Sequence, residues 1–228
     1  MTKAEAKPVS FDAGGGRRVS GLFLAPRDAG AVIVLAHGAG AGMAHPFMEA
    51  VAQALGDRGI ATLRYQFPYM EKGGRRPDAP GVAQATVRAA VGQAGQLAPR
   101  LPLFAGGKSF GGRMTSQAAA SEPLAGVRGI AFLGFPLHAP GKPSDSRGDH
   151  LFDVTVPMLF LQGSRDQFAD LKLLKPLVNR LGKRASLHLI EEGDHSFRVP
   201  ARTGRKDADA RGEFIDALAA WIDAVVAA

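Results

Sequence analysis

The sequence predicts a three-layer α/β sandwich built on a mainly parallel sheet of about seven or eight strands, with an antiparallel hairpin near its N-terminal end. Short segments that are apolar at nearly every position recur along the chain, which is typical of strands covered on both faces. Segments with apolar residues at helical spacing separate them. The chain has 228 residues, 46% of them hydrophobic, which is enough for one large core. We therefore expect a single domain over residues 1–228, of which residues 1–8 are flexible.

The elements follow in order from the hairpin, whose strands at 9–11 and 18–24 flank a glycine-rich turn at 13–16. The segments around Phe47, Leu177 and Leu218 carry apolar residues at helical spacing between later strands. Repeated strand–helix alternation favours parallel neighbours joined by right-handed crossovers. Six further strands are expected at residues 31–36, 60–65, 101–106, 129–134, 157–161 and 185–190.

The two longest predicted loops, 66–80 and 135–154, are rich in Pro, Gly, Arg and Asp. Long loops at strand ends are where binding and catalytic residues are commonly placed. The second loop is too short for a separate helical layer, and its prolines and glycines would interrupt any long helix. We expect no cap domain, and a site that is shallow and open.

Composition excludes several classes of protein. The chain has no cysteine, which excludes a disulfide scaffold and a thiol nucleophile. Its net charge of +7 comes from scattered basic pairs and not from a basic stripe with interleaved aromatics, so nucleic-acid binding is not expected. No apolar run resembles a secretory signal or approaches the about 18 residues of a membrane span, which predicts a soluble, cytoplasmic protein. No metal-ligand spacing such as H-E-x-x-H occurs, so no metal is expected.

The segment GKSFG, which contains Ser109, carries the strongest chemical signal. It follows the strand predicted at 101–106 and precedes MTSQAAA, which favours a helix. Strand, G-x-S-x-G and helix form the nucleophile elbow, a turn so tight that a side chain at either glycine would collide with neighbouring backbone. The turn exposes the serine hydroxyl above the sheet, at the positive end of the following helix. Ser109 is therefore the predicted nucleophile.

Two other glycine-rich motifs fail at one position each. The Gly-Lys-Ser of the same segment would need a glycine at position 102 to complete a phosphate-binding loop, and that residue is Pro102. The glycines at 38 and 40 would need a glycine or alanine three residues further on for a dinucleotide fingerprint, and that residue is Met43. No nucleotide cofactor is predicted.

An activated serine needs a base, and the base needs a carboxylate that orients it. His195 lies in the loop after the strand at 185–190 and is the predicted base. Asp166 lies in the turn after the strand at 157–161 and is the predicted acid, its alternative role being the N-cap of the next helix. The order Ser109, Asp166, His195 along the chain is the one expected for an elbow of this kind.

The segment HGAGAG after the strand at 31–36 predicts half of an oxyanion hole. We assign its backbone N–H to Ala39, with Gly40 as the alternative, and the second N–H to Phe110 directly after the nucleophile. Apolar and aromatic side chains flanking these loops are candidates for substrate binding, with ordinary packing under the loops as the alternative. These candidates are Met43, Phe67, Tyr69, Leu137, His138 and Phe168.

Five segments carry a resemblance to known proteins: HGAGAGMAHPFM, LRYQFPYMEKGGRRPD, GGKSFGGRM, GFPLHAP and LQGSRDQF. From residue 20 onward the chain resembles the α/β-hydrolase superfamily. Within it, the chain resembles the small lidless branch that includes dienelactone-hydrolase-like proteins and the testis-expressed and NSL-complex hydrolase-like proteins. The resemblance implies the α/β-hydrolase fold and triad positions at Ser109, Asp166 and His195. Dienelactone hydrolases use a cysteine where this chain has Ser109, so the resemblance does not extend to their particular reaction.

Together these features predict a serine hydrolase, carboxylesterase-like, that cleaves small esters, thioesters or lactones through an acyl-enzyme and without a cofactor. Its expected partner is a small acyl substrate, and no membrane is involved. The alternative is a hydrolase-like fold that serves as a binding or scaffold module, because a fold does not establish an activity.

Overall fold

The architecture is a three-layer α/β sandwich around one sheet. A computed structural model describes residues 4–228, and all statements about structure refer to those residues. The strands are β1 (Lys7–Asp12), β2 (Arg18–Leu24), β3 (Ala31–Ala36), β4 (Ile60–Tyr65), β5 (Leu103–Lys108), β6 (Val127–Leu133), β7 (Met158–Gly163) and β8 (Ala185–Ile190). The helices are α1 (Pro46–Gly56), α2 (Pro68–Glu71), α3 (Pro80–Leu97), α4 (Phe110–Ser121), α5 (Leu171–Leu181) and α6 (Asp207–Ala227).

The strands lie in the order β1-β2-β4-β3-β5-β6-β7-β8. The pairs β1–β2 and β2–β4 are antiparallel, and all later pairs are parallel. Since parallel strands point the same way, the loops that follow β3, β5, β6, β7 and β8 all leave from one edge of the sheet. The predicted fold class is confirmed, and this edge is where the chemically active residues meet.

Alternation along the central strands divides the core between the two faces of the sheet. Val32 and Val34 of β3 belong to the apolar cluster formed with α3, α4 and α5. Ile33 and Leu35 point the other way, into the cluster formed with α1 and α6. Every residue of β3 is buried, because helices cover both faces.

Several boundaries differ from those predicted. The strand expected at 101–106 extends to Lys108. The strand expected at 129–134 begins at Val127, and the strand expected at 157–161 extends to Gly163. Lys7 and Pro8, expected to be flexible, belong to β1 because they pair with Phe23 and Leu22 of β2, which corrects the expectation for these two residues. Residues 1–3 of that segment lie outside the described residues.

The loop 135–154 contains only a 3₁₀ helix, Ser146–Asp153. Of its apolar residues, Phe135, Leu137 and Leu151 are buried against the body of the protein, whereas Phe152 is exposed. No helix among residues 4–228 has the length and apolar character needed to cross a membrane.

Candidate active site

The turn between β5 and α4 holds Ser109 in a strained conformation. Ser109 has φ 50° and ψ −115°, a backbone region that non-glycine residues rarely adopt. A Cβ at Gly107 would lie 2.4 Å from the backbone oxygen of Ala36, and one at Gly111 would lie 2.5 Å from the same oxygen. The glycines therefore allow β5 and α4 to approach β3 closely, as the elbow requires.

Ser109, His195 and Asp166 form a continuous hydrogen-bonded chain. The Oγ atom of Ser109 lies 2.8 Å from Nε2 of His195. The other ring nitrogen, Nδ1, lies 2.6 Å from Oδ2 of Asp166. The Asp166 side chain has no exposed surface and that of His195 is 16% exposed, so the carboxylate is shielded while the imidazole reaches the cavity.

Two further hydrogen bonds fix the Asp166 carboxylate. The backbone N–H of Phe168 donates to Oδ1 over 2.8 Å. The Gln162 side-chain amide donates to Oδ2, while its oxygen accepts the N–H of Phe135 over 2.8 Å. Gln162 is fully buried, so one amide joins the β6 and β7 ends of the site. The sequence analysis missed Gln162, because a single polar residue at the end of an apolar strand carries no motif.

The segment after β3 is held by side chains from β4 and from the residues that follow β4. The N–H of Gly40 donates to the Tyr69 hydroxyl over 2.9 Å. Among residues 4–228, no acceptor is bonded to the N–H groups of Ala39 or Phe110. Of the two alternatives for the first oxyanion donor, Gly40 is thus already engaged, and this arrangement favours Ala39.

His37 braces the same segment. Its Nε2 accepts the N–H of Phe67 over 3.2 Å and its Nδ1 lies 2.7 Å from the carbonyl oxygen of Gly38. Burial lowers the pKa of His37, which favours a neutral ring that donates from Nδ1 and accepts at Nε2. His37 is therefore a structural support for the loop.

A cavity of about 740 Å³ opens beside Ser109 and His195, a size typical of small-molecule sites. Its walls come from the loops after β3, β5, β7 and β8 and from α1 and α6. The largest apolar side chains of the wall are those of Phe47, Met48, Phe168, Phe197 and Phe214. Its charged and ionisable residues, besides His195, are His45, Lys108, Arg198, Asp207 and Arg211.

Of the six predicted substrate-binding residues, only Phe168 lines this cavity, and its ring lies 4.3 Å from the His195 ring between centroids. Phe67 and Leu137 have no exposed surface, which corrects the expectation that they line a pocket. Tyr69 is buried behind Gly40. Met43 lies outside the cavity wall.

The remaining candidate, His138, is also buried outside the cavity wall. Its Nε2 accepts the N–H of Asp170 over 2.8 Å, and its Nδ1 lies 2.9 Å from the carbonyl oxygen of Ala139. Both ring nitrogens are engaged with backbone, so His138 joins two loops. Asp170 is also the N-cap of α5, where its side chain accepts the N–H of Lys172, so the helix-capping alternative for Asp166 is removed.

Lys108, between Gly107 and Ser109, is a cavity residue that the sequence analysis did not assign. Its ammonium donates to the backbone oxygen of His195 over 2.6 Å. Desolvation lowers the pKa of Lys108 from 10.5 to about 8, against the opposing attraction of Asp166 and Asp194. A charged group thus contacts the backbone of the imidazole-bearing residue.

An elbow serine bonded to an imidazole at the carboxyl edge of a sheet in this strand order is typical of the α/β hydrolases. The family described as alpha/beta hydrolase domain matches residues 29–223. The chain belongs to this family. The narrower resemblance to testis-expressed and NSL-complex hydrolase-like proteins stays a prediction.

Solved structures share the fold over nearly the whole chain. Dienelactone hydrolase from Anabaena variabilis is 21% identical, with a TM-score of 0.75 over 96% of this chain and 97% of that one. A serine hydrolase without a lid from Xanthomonas campestris is 22% identical, with a TM-score of 0.72 over 97% of each chain. A cold-adapted esterase from an Arctic intertidal metagenomic library is 21% identical, with a TM-score of 0.68 over 96% of this chain and 94% of that one. At these identities the likeness establishes the fold.

Proposed function

We propose that the chain is a single-domain serine hydrolase that cleaves small carboxylic esters, thioesters or lactones. The observation that carries the proposal is the hydrogen-bonded chain from Ser109 Oγ through His195 to the shielded Asp166 carboxylate. Its position beside a cavity of about 740 Å³ supports a small-molecule acyl substrate. Fold relatives described as esterases and as a lidless serine hydrolase lend further support.

In the first half of the reaction, Oγ of Ser109 attacks the acyl carbon and its proton passes to Nε2 of His195. The negative charge on the substrate oxygen is stabilised by the N–H groups of Ala39 and Phe110. His195 then gives its proton to the leaving oxygen or sulfur, and the carbon–heteroatom bond breaks. An acyl ester on Ser109 and a free alcohol or thiol result.

In the second half, a water molecule replaces the leaving group. His195 takes a proton from the water as its oxygen attacks the acyl-enzyme, and returns the proton to Ser109 Oγ as the carboxylic acid leaves. Asp166 keeps the imidazole in the tautomer that accepts at Nε2, and stabilises the imidazolium in each half. Apart from the acyl substrate and this water, the proposed steps use only groups of the chain.

Replacement of the nucleophile tests the proposal. Ser109→Ala should lower the rate of p-nitrophenyl acetate hydrolysis by several orders of magnitude, because no oxygen nucleophile remains at the elbow. For the same reason it should abolish labelling by a fluorophosphonate probe. The measurement is steady-state turnover together with gel-based probe labelling, using heat-denatured parent protein as the background.

Ser116, on the helix α4 that Ser109 directly precedes, offers a matched control. Its hydroxyl also lies 2.8 Å from an imidazole, Nε2 of His150, but Ser116 has no exposed surface and does not line the cavity. Ser116→Ala should keep both activities within about twofold of the parent. Parent-like turnover in Ser109→Ala would refute the assignment of the elbow. A parent protein that neither labels nor turns over any acyl substrate would favour the binding-module alternative.

A further inference from the structure

We propose that Lys108 is a positioning residue whose ammonium holds the backbone of His195 in the orientation that catalysis requires. The inference rests on the proposed function and adds to it a group outside the triad. Its basis is the hydrogen bond of 2.6 Å from Nζ to the His195 backbone oxygen. Lys108 adjoins Ser109 and His195 is the proposed base, so the bond connects two parts of the site that lie 87 positions apart in sequence. A charged donor makes this bond stronger than one from a neutral group.

The space around Nζ is shaped to admit the ammonium. A Cβ at Gly134 would lie 3.1 Å from Nζ, 3.3 Å from the His195 oxygen and 3.4 Å from Cε1 of the His195 ring. The absent side chain at Gly134 therefore leaves the gap through which Lys108 reaches His195. The Phe197 ring lies on another side, with its centroid 5.7 Å from Nζ.

The charged groups around Lys108 come from the loops that follow β7 and β8. Asp166 and Asp194 both attract its ammonium, and His195 is its direct hydrogen-bond partner. The cavity wall further contains His45, Arg198, Asp207 and Arg211. The ammonium is thus bonded to the peptide of the imidazole-bearing residue and is attracted by two carboxylates.

Folding stability does not account for this ammonium. The pKa of Lys108 is about 8 in the native protein, below its ordinary 10.5, so an unfolded chain holds the proton more tightly. The charge therefore lowers stability at neutral pH, and this cost is relieved as pH rises from about 8 to 10.5. A buried apolar side chain of the same length would avoid the cost, which points to a function for the charge.

The test compares Lys108→Met with the parent and with Lys175→Met, which removes the same charge from an exposed position on α5. Lys108→Met should lower kcat by up to about a hundredfold, because the imidazole is less well oriented. Its KM should stay within about threefold, and its Tm should not fall. The parent should lose kcat above pH about 8, where the ammonium deprotonates, and Lys108→Met should lack this alkaline decline. Lys175→Met should behave as the parent.

Two glycine variants supply a second test in which Lys108 is kept. Gly134 and Gly126 both have φ of 73°, but a Cβ at Gly126 would meet no atom within 4 Å. Alanine at either position meets the same backbone strain, and only Gly134→Ala pushes against both Nζ and His195. Gly134→Ala should lower kcat more than tenfold relative to Gly126→Ala at a similar loss of Tm.

Lysine side-chain NMR separates failure of this inference from failure of the proposed function, because it does not need turnover. A lysine signal with a midpoint near pH 8, absent from Lys108→Met, should shift together with the His195 ring signals. A parent protein without any acyl turnover would refute the proposed function. The lysine titration would still report whether Lys108 and the His195 ring are coupled. An active parent would overturn the role of Lys108 if Lys108→Met kept its kcat and alkaline decline, or if Gly134→Ala matched Gly126→Ala.

Discussion

The two carboxylates nearest His195 differ in what they contact. Asp166 bonds to the ring through Oδ2. Asp194 adjoins His195 in sequence, but its Oδ1 accepts the backbone N–H groups of Ser196 over 2.7 Å and Arg198 over 2.9 Å. Asp194 therefore shapes the loop, and proximity along the chain is a poor guide to which carboxylate bonds to the imidazole.

Asparagine substitutions should separate these two roles. In Asp166→Asn, an amide N–H₂ placed beside Nδ1 would favour the tautomer in which Nε2 carries the proton and cannot accept from Ser109, so kcat should fall about 10³- to 10⁴-fold. Asp194→Asn keeps an oxygen for both backbone bonds, and its loss should stay within about tenfold. Turnover of p-nitrophenyl acetate by the two folded variants provides the ranking, and equal or inverted losses would contradict the assignment of Asp166.

Ser109, Asp166 and His195, which the structure joins by hydrogen bonds, could be located from sequence because each follows a strand, and parallel strands bring their carboxyl ends to one edge. The cavity wall could not. Phe67 and Leu137 flank loops just as Phe168 does, yet they pack into the core, since the direction of a side chain in an irregular segment depends on contacts that no local pattern records. The same holds for Lys108, whose acceptor lies far along the chain.

At the scale of elements, the strand boundaries show which features of a sheet can be predicted from the sequence alone. The run at 31–36 is apolar throughout and matches β3 residue for residue. Strand β5 continues through Gly107 and Lys108, which have low strand propensity, because neighbours on both sides pair with it: Ala36 with Gly107, and Leu133 with Lys108. Backbone pairing thus extends the strand to the elbow, where propensity alone would end it.

The close approach of α4 to β3 at the elbow can be tested by glycine-to-alanine substitution. Gly111→Ala would place Cβ 2.5 Å from the backbone oxygens of both Ala36 and His37, so it should lower the free energy of unfolding by about 1–3 kcal/mol or more. Gly92, exposed within α3, would meet no atom within 4 Å, and Gly92→Ala should raise stability by about 0.5–1 kcal/mol. Urea denaturation of both variants measures these changes. A Gly111→Ala protein as stable as the parent would show that α4 does not approach β3 so closely.

At the scale of the whole molecule, residues 4–228 form no cap over the cavity, and this governs how much of a substrate can leave water. The cavity rim includes the exposed residues Ala39, His45 and Ser196, and the loop 135–154 packs against the body of the protein. Each methylene of an acyl chain contributes about 0.8 kcal/mol only when it is buried. Long chains should therefore gain little from this site.

We accordingly expect kcat/KM for p-nitrophenyl esters to peak at acyl chains of about two to four carbons. The measurement is a series from acetate to palmitate, each below its critical micelle concentration and corrected with Ser109→Ala protein. A steady rise beyond octanoate would contradict the prediction and reveal a deep apolar channel.

The order of the elements along the chain also sets the order in which the parts of the site are made during translation. The central strands β3, β4 and β5 and the elbow are made early, whereas His195 follows β8, and α6 supplies Phe214 to the cavity and closes the second core layer. Domains begin to organise while the ribosome is still adding residues. A nascent chain that has reached α4 carries its serine with neither imidazole nor carboxylate beside it. Ser109 thus lacks its imidazole partner until β8 and the loop that follows it have been made, so the proposed catalytic site can form only late in biosynthesis.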